Sequence, residues 1–266
     1  MKTFRRALAP VLTLLFLYVP ILVLALYSFT DAAQIGQASG FSLANYVTLF
    51  TREDLRSMIA GTLILALASA LLATLLGTLG AVGAFYAKKR TNAAMSTVNQ
   101  IPVINADVVT GFSLCILLVV VLGISKDTYI PLLIGHVTLS APFVYLSVTP
   151  KLKQMDPALY EAALDLGAKP RTALVRVVIP QIVSGMVSGF SLAITLSLDD
   201  YFIATYTKPA TFDTISTYVV NATKGSQTEI KTALWALSTV IFVLVILVVL
   251  GMNLNARRTE KKEERI

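Results

Sequence analysis

The sequence predicts an all-α, polytopic membrane protein, and its composition indicates this class. Hydrophobic residues make up 56% of the 266 residues and charged residues only 14%, whereas soluble domains contain about 25% charged residues. The mean hydropathy is +0.74. This composition excludes a disordered chain, which is poor in apolar residues. It also disfavours a soluble domain, because too few charged residues are present to cover the surface.

Six apolar stretches are long enough to cross a bilayer, which needs about 20 residues per helix. The predicted spans are 8–29, 58–86, 98–123, 130–149, 179–206 and 232–252, and none of them contains Lys or Arg. The first stretch is about twice as long as the apolar core of a signal peptide, and no clear cleavage site follows it. We therefore interpret it as a retained helix and expect a single membrane domain over residues 1–266.

The segments between the spans alternate in basic charge, and this alternation predicts their orientation. One set carries 16 of the 22 Lys and Arg residues and consists of 1–7, 87–97, 150–178 and 253–266. The other set has a similar total length, carries 6 and consists of 30–57, 124–129 and 207–231. Because basic loops stay in the cytoplasm, both termini are predicted to be cytoplasmic. The net charge of +7 thus lies at membrane flanks, so no nucleic-acid partner is expected.

Several site classes are excluded by residue counts. The single cysteine, Cys115, cannot form an internal disulfide. The single histidine, His136, cannot belong to a histidine cluster for a metal, and we interpret it as a residue of a helix interface. No phosphate-binding G-x-x-x-x-G-K-[ST] loop is present. We therefore expect no metal site, no catalytic residues and no cofactor in this chain.

The longest cytoplasmic segment, 150–178, has the signals of a structured loop. Asp156 is a good N-cap and Pro157 a good first helical residue. A helix is predicted over 158–166, and Gly167 ends it because glycine enters the left-handed region at little cost. Pro170 is predicted to start a second short helix that ends at Val178. The two helices would form an elbow at the membrane face, before Pro180 opens the fifth span.

The first helix of this elbow has one apolar side without an evident partner in the chain. Its residues are Leu159, Ala162, Ala163 and Leu166. Such a side is typical of an amphipathic helix that fits into a groove of another protein. We therefore expect a docking surface there.

The same segment closely resembles the EAA loop of ABC-importer permeases. Glu161-Ala162-Ala163 is followed by Gly167 and then, after nine intervening residues, by Val177-Val178-Ile179-Pro180. Two aliphatic residues differ from the family pattern, Val177 for Ile and Ile179 for Leu. The resemblance implies the type I ABC-importer permease fold. It also implies that Glu161, Ala162, Ala163 and Gly167 couple the permease to separate ATPase subunits, which bind ATP and Mg.

Three charged residues lie within the predicted spans, and all are acidic: Asp107, Asp199 and Asp200. An uncompensated carboxylate in a membrane is costly and usually faces a polar cavity. Because no basic residue lies in the spans, a cationic substrate is an attractive partner. Tyr201 follows the acidic pair, and aromatic faces suit ammonium groups. The alternative is that these aspartates are protonated or hydrogen-bonded to neighbouring helices, and one of the acidic pair could position the other.

A second resemblance concerns the substrate. The run Leu196-Ser197-Leu198-Asp199-Asp200 resembles a motif of spermidine/putrescine importer permeases, and Phe41-Ser42-Leu43-Ala44-Asn45-Tyr46 resembles a segment common in these permeases. The resemblance implies a polyamine permease of the bacterial cytoplasmic membrane. Its implied partners are two ATPases, a second permease in a heterodimer and an external solute-binding protein. Another solute, such as a metal ion or thiamine, and an ion-driven secondary transporter remain the alternatives.

Overall fold

The computed structural model describes residues 2–32, 40–224, 232–243 and 246. In chain order the helices are α1 (Lys2–Ser28), α2 (Ala44–Thr51), α3 (Glu53–Tyr86), α4 (Lys89–Ile104), α5 (Asp107–Cys115), α6 (Ile130–Gln154), α7 (Ala158–Asp165), α8 (Pro170–Ala173), α9 (Ile179–Asp199), α10 (Phe202–Thr207), α11 (Ile215–Lys224) and α12 (Thr232–Val243). Two π-helical stretches, Ile116–Val121 and Leu174–Val178, extend α5 and join α8 to α9. Within these described ranges, extended pairing is limited to the bridge between Thr30 and Phe41. The prediction of an all-α chain is confirmed.

Four helices are long and apolar enough to cross a membrane. They are Val11–Ser28, Glu53–Tyr86, Ile130–Gln154 and Pro170–Asp199. The bent pair Lys89–Ile104 and Asp107–Val121 makes a fifth if it counts as one span. Helix α12 is apolar but shorter, and most of the rest of the predicted sixth span lies outside the described residues. The described residues thus contain four or five clear spans, whereas the whole sequence predicts six.

The predicted third span, 98–123, contains a bend between two helices. The chain bends by 103° between α4 and α5, where Asn105 adopts an extended conformation with ψ 146°. Pro102 lies just before the bend, and proline removes one helical hydrogen bond. The Asn105 side-chain amide donates to Thr110 Oγ1 at 2.9 Å. The break is therefore stabilised by local side-chain bonding.

The helix of the predicted fifth span, 179–206, begins earlier and ends earlier than the predicted span. The helix begins at Pro170 and runs on to Asp199, so Pro180 does not start a new element. The π-helical stretch directly precedes Pro180. Its wider turn gives room to a ring that would clash with a carbonyl in a regular α-helix. The second short helix of the predicted elbow, 170–178, is therefore continuous with the helix of the predicted fifth span.

The chain divides into two compact units, 58–218 and the remainder. In unit 58–218, Val144 of α6 is fully buried between glycines of two neighbouring helices. A Cβ on Gly77 of α3 would lie 2.7 Å from Val144 Cβ, and one on Gly189 of α9 would lie 3.1 Å from Val144 Cα. Small residues let these helices pack closely at these positions.

In the other unit, Asn45 of α2 binds the end of α1. Its side-chain amide donates to the carbonyl oxygens of Ser28 at 3.1 Å and Thr30 at 2.9 Å. The ring of Tyr46 packs on Phe29 with centroids 4.9 Å apart. Carbonyls at a helix end have no partner within the helix. The segment Phe41–Tyr46 therefore anchors the first span, a role that its sequence did not reveal.

Candidate functional site

The candidate site is a break in the fifth span at Asp200. Helix α9 ends at Asp199, and Asp200 adopts an extended conformation with φ −65° and ψ 123°. Tyr201 follows, and the short helix α10 begins at Phe202. A broken span exposes backbone groups that no helix satisfies, and such breaks often line solute sites in transporters. The two aspartates therefore lie at an interruption and not on a regular helix.

The free backbone groups at this break find partners in neighbouring side chains. The Asp200 carboxylate accepts hydrogen bonds from the backbone N–H groups of Ile203 at 3.2 Å and Ala204 at 2.7 Å. On the other side of the break, Ser216 Oγ of α11 donates to the carbonyl oxygen of Leu198 at 2.9 Å. Irregular backbone inside a membrane requires such partners. Asp200 is thus a helix cap for α10.

Helix α10 is held between α5 and α6 by close contacts to glycines. Ile203 is fully buried. A Cβ on Gly111 of α5 would lie 3.0 Å from Ile203 Cα, and a Cβ on Gly135 of α6 would lie 2.6 Å from Ile203 Cγ2. Only glycine allows this approach without a shift of one helix. These contacts fix the segment that follows the break.

His136 of α6 faces the Asp200 carboxylate. Both side chains are buried, and His136 Nε2 lies 3.7 Å from Asp200 Oδ2. The other ring nitrogen, Nδ1, lies 2.9 Å from the carbonyl oxygen of Leu132. Nε2 has no hydrogen-bond partner within 3.5 Å among the described residues. The interpretation of His136 as an interface residue is confirmed, but its position opposite Asp200 was not predicted from the sequence.

The two adjacent aspartates have different surroundings. Asp200 is buried, at 8% exposure, whereas Asp199 is exposed. Tyr201 is half-buried, and its ring lies edge-on to Phe202 with centroids 5.2 Å apart. Asp199 therefore has the more accessible carboxylate of the pair.

Asp107 lies on a different element that packs against the same region. It is the first residue of α5, directly after the 103° bend, and is exposed. A carboxylate in the first turn of a helix is favoured by the helix dipole. Helix α5 packs against α10, so the structure groups the elements that carry Asp107 and Asp200. Participation of the three aspartates and Tyr201 in a solute path stays a prediction.

The segment 150–178 shows the predicted start and end of α7. Asp156 Oδ1 accepts the backbone N–H of Ala158 at 2.9 Å. At the other end Gly167 has φ +84°. Its N–H donates to the Leu164 carbonyl at 2.8 Å, and the N–H of Ala168 donates to the Ala163 carbonyl at 3.0 Å. This pair of bonds is a Schellman turn, which requires a left-handed residue.

One side of α7 packs inward and the other is exposed. Tyr160 packs on the core, with its ring 4.9 Å from that of Tyr86. Leu159 is 42% exposed and Leu166 is 90% exposed. Ala162 and Glu161 are also exposed, whereas Ala163 is half-buried. The predicted unpartnered side is therefore present, with Ala163 at its inner edge, and its role in docking stays a prediction.

Metal binding by acidic or sulfur ligands has no candidate site among the described residues, because they contain no cluster of three His, Cys, Asp or Glu side chains that could hold an ion. Near the break, a hydrogen bond between two hydroxyl groups joins α3 and α9. Ser69 Oγ of α3 donates to Ser197 Oγ of α9 at 3.2 Å. The chemistry available at the break is thus that of carboxylates, the His136 imidazole, hydroxyl groups and aromatic rings.

Comparisons with known proteins place this architecture among transport proteins. Residues 73–261 match the family described as "Binding-protein-dependent transport system inner membrane component". The spermidine/putrescine transport system permease protein PotC of Escherichia coli K12 is 30% identical over 247 residues, which cover 92% of this chain and 91% of PotC. The putrescine transport system permease protein PotI of the same organism is 32% identical over 196 residues, covering 72% of this chain and 70% of PotI.

Solved structures show the same fold at lower identity. A bacterial ABC transporter that imports the acidic polysaccharide alginate matches with a TM-score of 0.74 and 20% identity, over 94% of both chains. The alginate transporter in complex with its pentasaccharide-bound periplasmic protein matches with a TM-score of 0.69 and 20% identity, over 92% of both chains.

Proposed function

The chain belongs to the family of binding-protein-dependent transport system inner membrane components, and on that premise we propose that it moves a polyamine such as spermidine or putrescine. It is the permease subunit of an ABC importer and a transport subunit, not an enzyme. The observation that carries the substrate proposal is the whole-chain similarity to permeases named for spermidine and putrescine.

The charges of the spans support a cationic solute. The predicted spans contain three aspartates and no Lys or Arg. Asp199 is exposed at the break, and Tyr201, two residues further along the chain, is half-buried. A polyamine offers ammonium groups to carboxylates and aromatic faces, and methylene segments to apolar walls. Asp107, Asp199, Asp200 and Tyr201 are therefore the proposed path residues.

The proposed topology has six spans in one domain, with both termini in the cytoplasm. The bent α4–α5 pair and a sixth span that begins with α12 complete the set. The asymmetry of 16 against 6 basic residues between the two sets of loops supports this orientation. The proposed location is the bacterial cytoplasmic membrane, where the chain contacts lipid.

The proposed assembly contains this chain, a second permease and two ATPases, with an external solute-binding protein that delivers the polyamine. The ATPases bind ATP and Mg. The exposed side of α7 supports the docking proposal, since Leu166 at 90% exposure offers an apolar surface to a groove. Glu161, Ala162, Ala163 and Gly167 form or orient this docking helix. ATP-driven closure of the ATPases would move α7 and open the path outward.

Uptake by the purified assembly tests the substrate. Proteoliposomes that contain the co-purified permeases and ATPases should accumulate radiolabelled spermidine or putrescine only with ATP and the binding protein. Asp199→Asn should lower uptake about 10- to 100-fold, because a charged hydrogen bond is worth about 1.5–3 kcal/mol. Asp127→Asn is the matched control, since Asp127 is an exposed acid in a loop.

Each alternative function predicts a different result in this assay. Competition by metal ions or thiamine, with no effect of unlabelled polyamines, would replace the polyamine by another solute. Uptake that persists without ATP and collapses with an uncoupler would indicate a secondary transporter. Equal uptake by the Asp199→Asn and Asp127→Asn proteins would remove Asp199 from the path.

A further inference from the structure

The protonation of one ring nitrogen of His136, Nδ1, is fixed by a neighbouring backbone oxygen. Nδ1 lies 2.9 Å from the Leu132 carbonyl oxygen, and a carbonyl oxygen only accepts hydrogen bonds. Nδ1 therefore carries a hydrogen. In the neutral ring, Nε2 is then a bare lone pair, and it faces Asp200 Oδ2 at 3.7 Å. The backbone of Ser197 also interacts with the His136 ring.

A buried contact between two hydrogen-bond acceptors is unfavourable, because their lone pairs repel each other. The His136 and Asp200 side chains are 0% and 3% exposed, so water does not screen their repulsion. One proton between Nε2 and Oδ2 converts the contact into a hydrogen bond. The gap would close by about 1 Å to reach ordinary hydrogen-bond distance. The carboxylate keeps its two bonds to the N–H groups of Ile203 and Ala204 in this arrangement.

We propose that His136 is a positioning residue of the solute path, which holds one proton against Asp200 and thereby fixes the break in the fifth span. Helix α6 also packs directly against α10, because Gly135 lies against Ile203. α6 thus holds both the cap of α10 and its buried side chain. The orientation of Asp199 and Tyr201, on either side of Asp200, depends on this junction. This inference rests on the proposed function for its effect on the polyamine, but not for the junction itself.

A histidine that only fills space would behave differently from a positioning residue. Its replacement by leucine would leave Asp200 unaffected. In the proposed junction, His136→Leu leaves a buried carboxylate without its proton partner, which is strongly unfavourable. Asn at position 200 removes that charge while its side-chain oxygen still accepts from the N–H groups of α10. The loss in His136→Leu is therefore expected to be reversed in the His136→Leu, Asp200→Asn double variant.

The first experiment measures assembly without any substrate. The yield and thermal stability of the complete complex are compared for the wild type, His136→Leu, Asp200→Asn and the double variant. Thr138→Val is the control on α6, since Thr138 bonds only its own helix at the Ile134 carbonyl. We expect His136→Leu to lower the yield about tenfold and the double variant to recover most of it. A double variant no better than His136→Leu would overturn the junction.

The second experiment measures uptake per assembled complex. His136→Gln retains an amide N–H donor, so its KM for spermidine should stay within about threefold of the wild type, whereas His136→Leu should raise KM about tenfold. Equal KM values for Gln, Leu and wild type would overturn the positioning role. If wild-type complexes take up no polyamine but the double variant still recovers assembly, the proposed function fails and the junction stands.

Discussion

Substitution of Gly167 tests whether the turn after α7 is needed for contact with the ATPases. The residue has φ +84°, and a Cβ added there would meet no atom within 4 Å. A substitution therefore causes no clash, and its entire cost arises from the backbone. An L-residue pays about 1–2 kcal/mol in this region, which lowers the population of the turn roughly 5- to 30-fold.

The size of this penalty depends on the side chain, which gives a graded series. Asn tolerates the left-handed region better than other residues, and a β-branched residue tolerates it poorly. We therefore expect ATPase association to decrease in the order Gly, Asn, Ala and Val at position 167. Insertion into the membrane should persist in all four, because the turn lies outside the spans.

The assay is co-purification of the ATPases with a tagged permease from detergent extracts, normalised to the permease in the membrane fraction. Gly123→Val is a matched control, since Gly123 has φ +67° and equally open surroundings but lies on the predicted outer side. Normal ATPase recovery with Gly167→Val would refute the role of the turn. Equal losses for Asn and Val would refute backbone strain as the cause.

Two further substitutions test the packing of the spans and the break. Gly77→Ala places Cβ 2.7 Å from the Ala141 carbonyl oxygen and should destabilise the purified chain by about 1–3 kcal/mol. Gly83→Ala on the same helix meets no atom within 4 Å and should be neutral or stabilising by up to about 1 kcal/mol. Thermal unfolding in detergent measures both stabilities. Equal effects of Gly77→Ala and Gly83→Ala would contradict the packing argument. Ser216→Ala leaves the Leu198 carbonyl without its 2.9 Å donor and should lower stability in the same assay by about 1–3 kcal/mol. Unchanged stability would mean that this carbonyl has another partner.

The structure of the segment 156–168 was predictable because its signals are local. Asp156 caps the helix that begins two residues later, and Gly167 ends it through bonds to Leu164 and Ala163. Each of these interactions joins residues within a few positions of each other. Caps and left-handed turns depend on backbone conformation and neighbouring side chains, so a sequence contains nearly all the information that they require.

The interruptions of the spans were less accessible to sequence reasoning. Apolar composition identifies a stretch that prefers the membrane but does not show whether its helix is continuous. Pro180 suggested a helix start, yet the π-helical turn before it lets the helix continue. At Asp200, by contrast, the helix breaks without a proline or glycine. Partners from α5, α6 and α11 stabilise this break, and hydropathy does not report them.

The amino-acid sequence by itself determined the membrane class, the acidic character of the predicted spans and the turn at Gly167, because composition and local capping are properties of short segments. Tertiary structure alone decided that Asp200 is buried opposite His136 while the adjacent Asp199 is exposed. Asp199 and Asp200 are the same residue type and have nearly the same neighbours in sequence. Their difference arises from the packing of α10 between α5 and α6, which depends on contacts between distant parts of the chain.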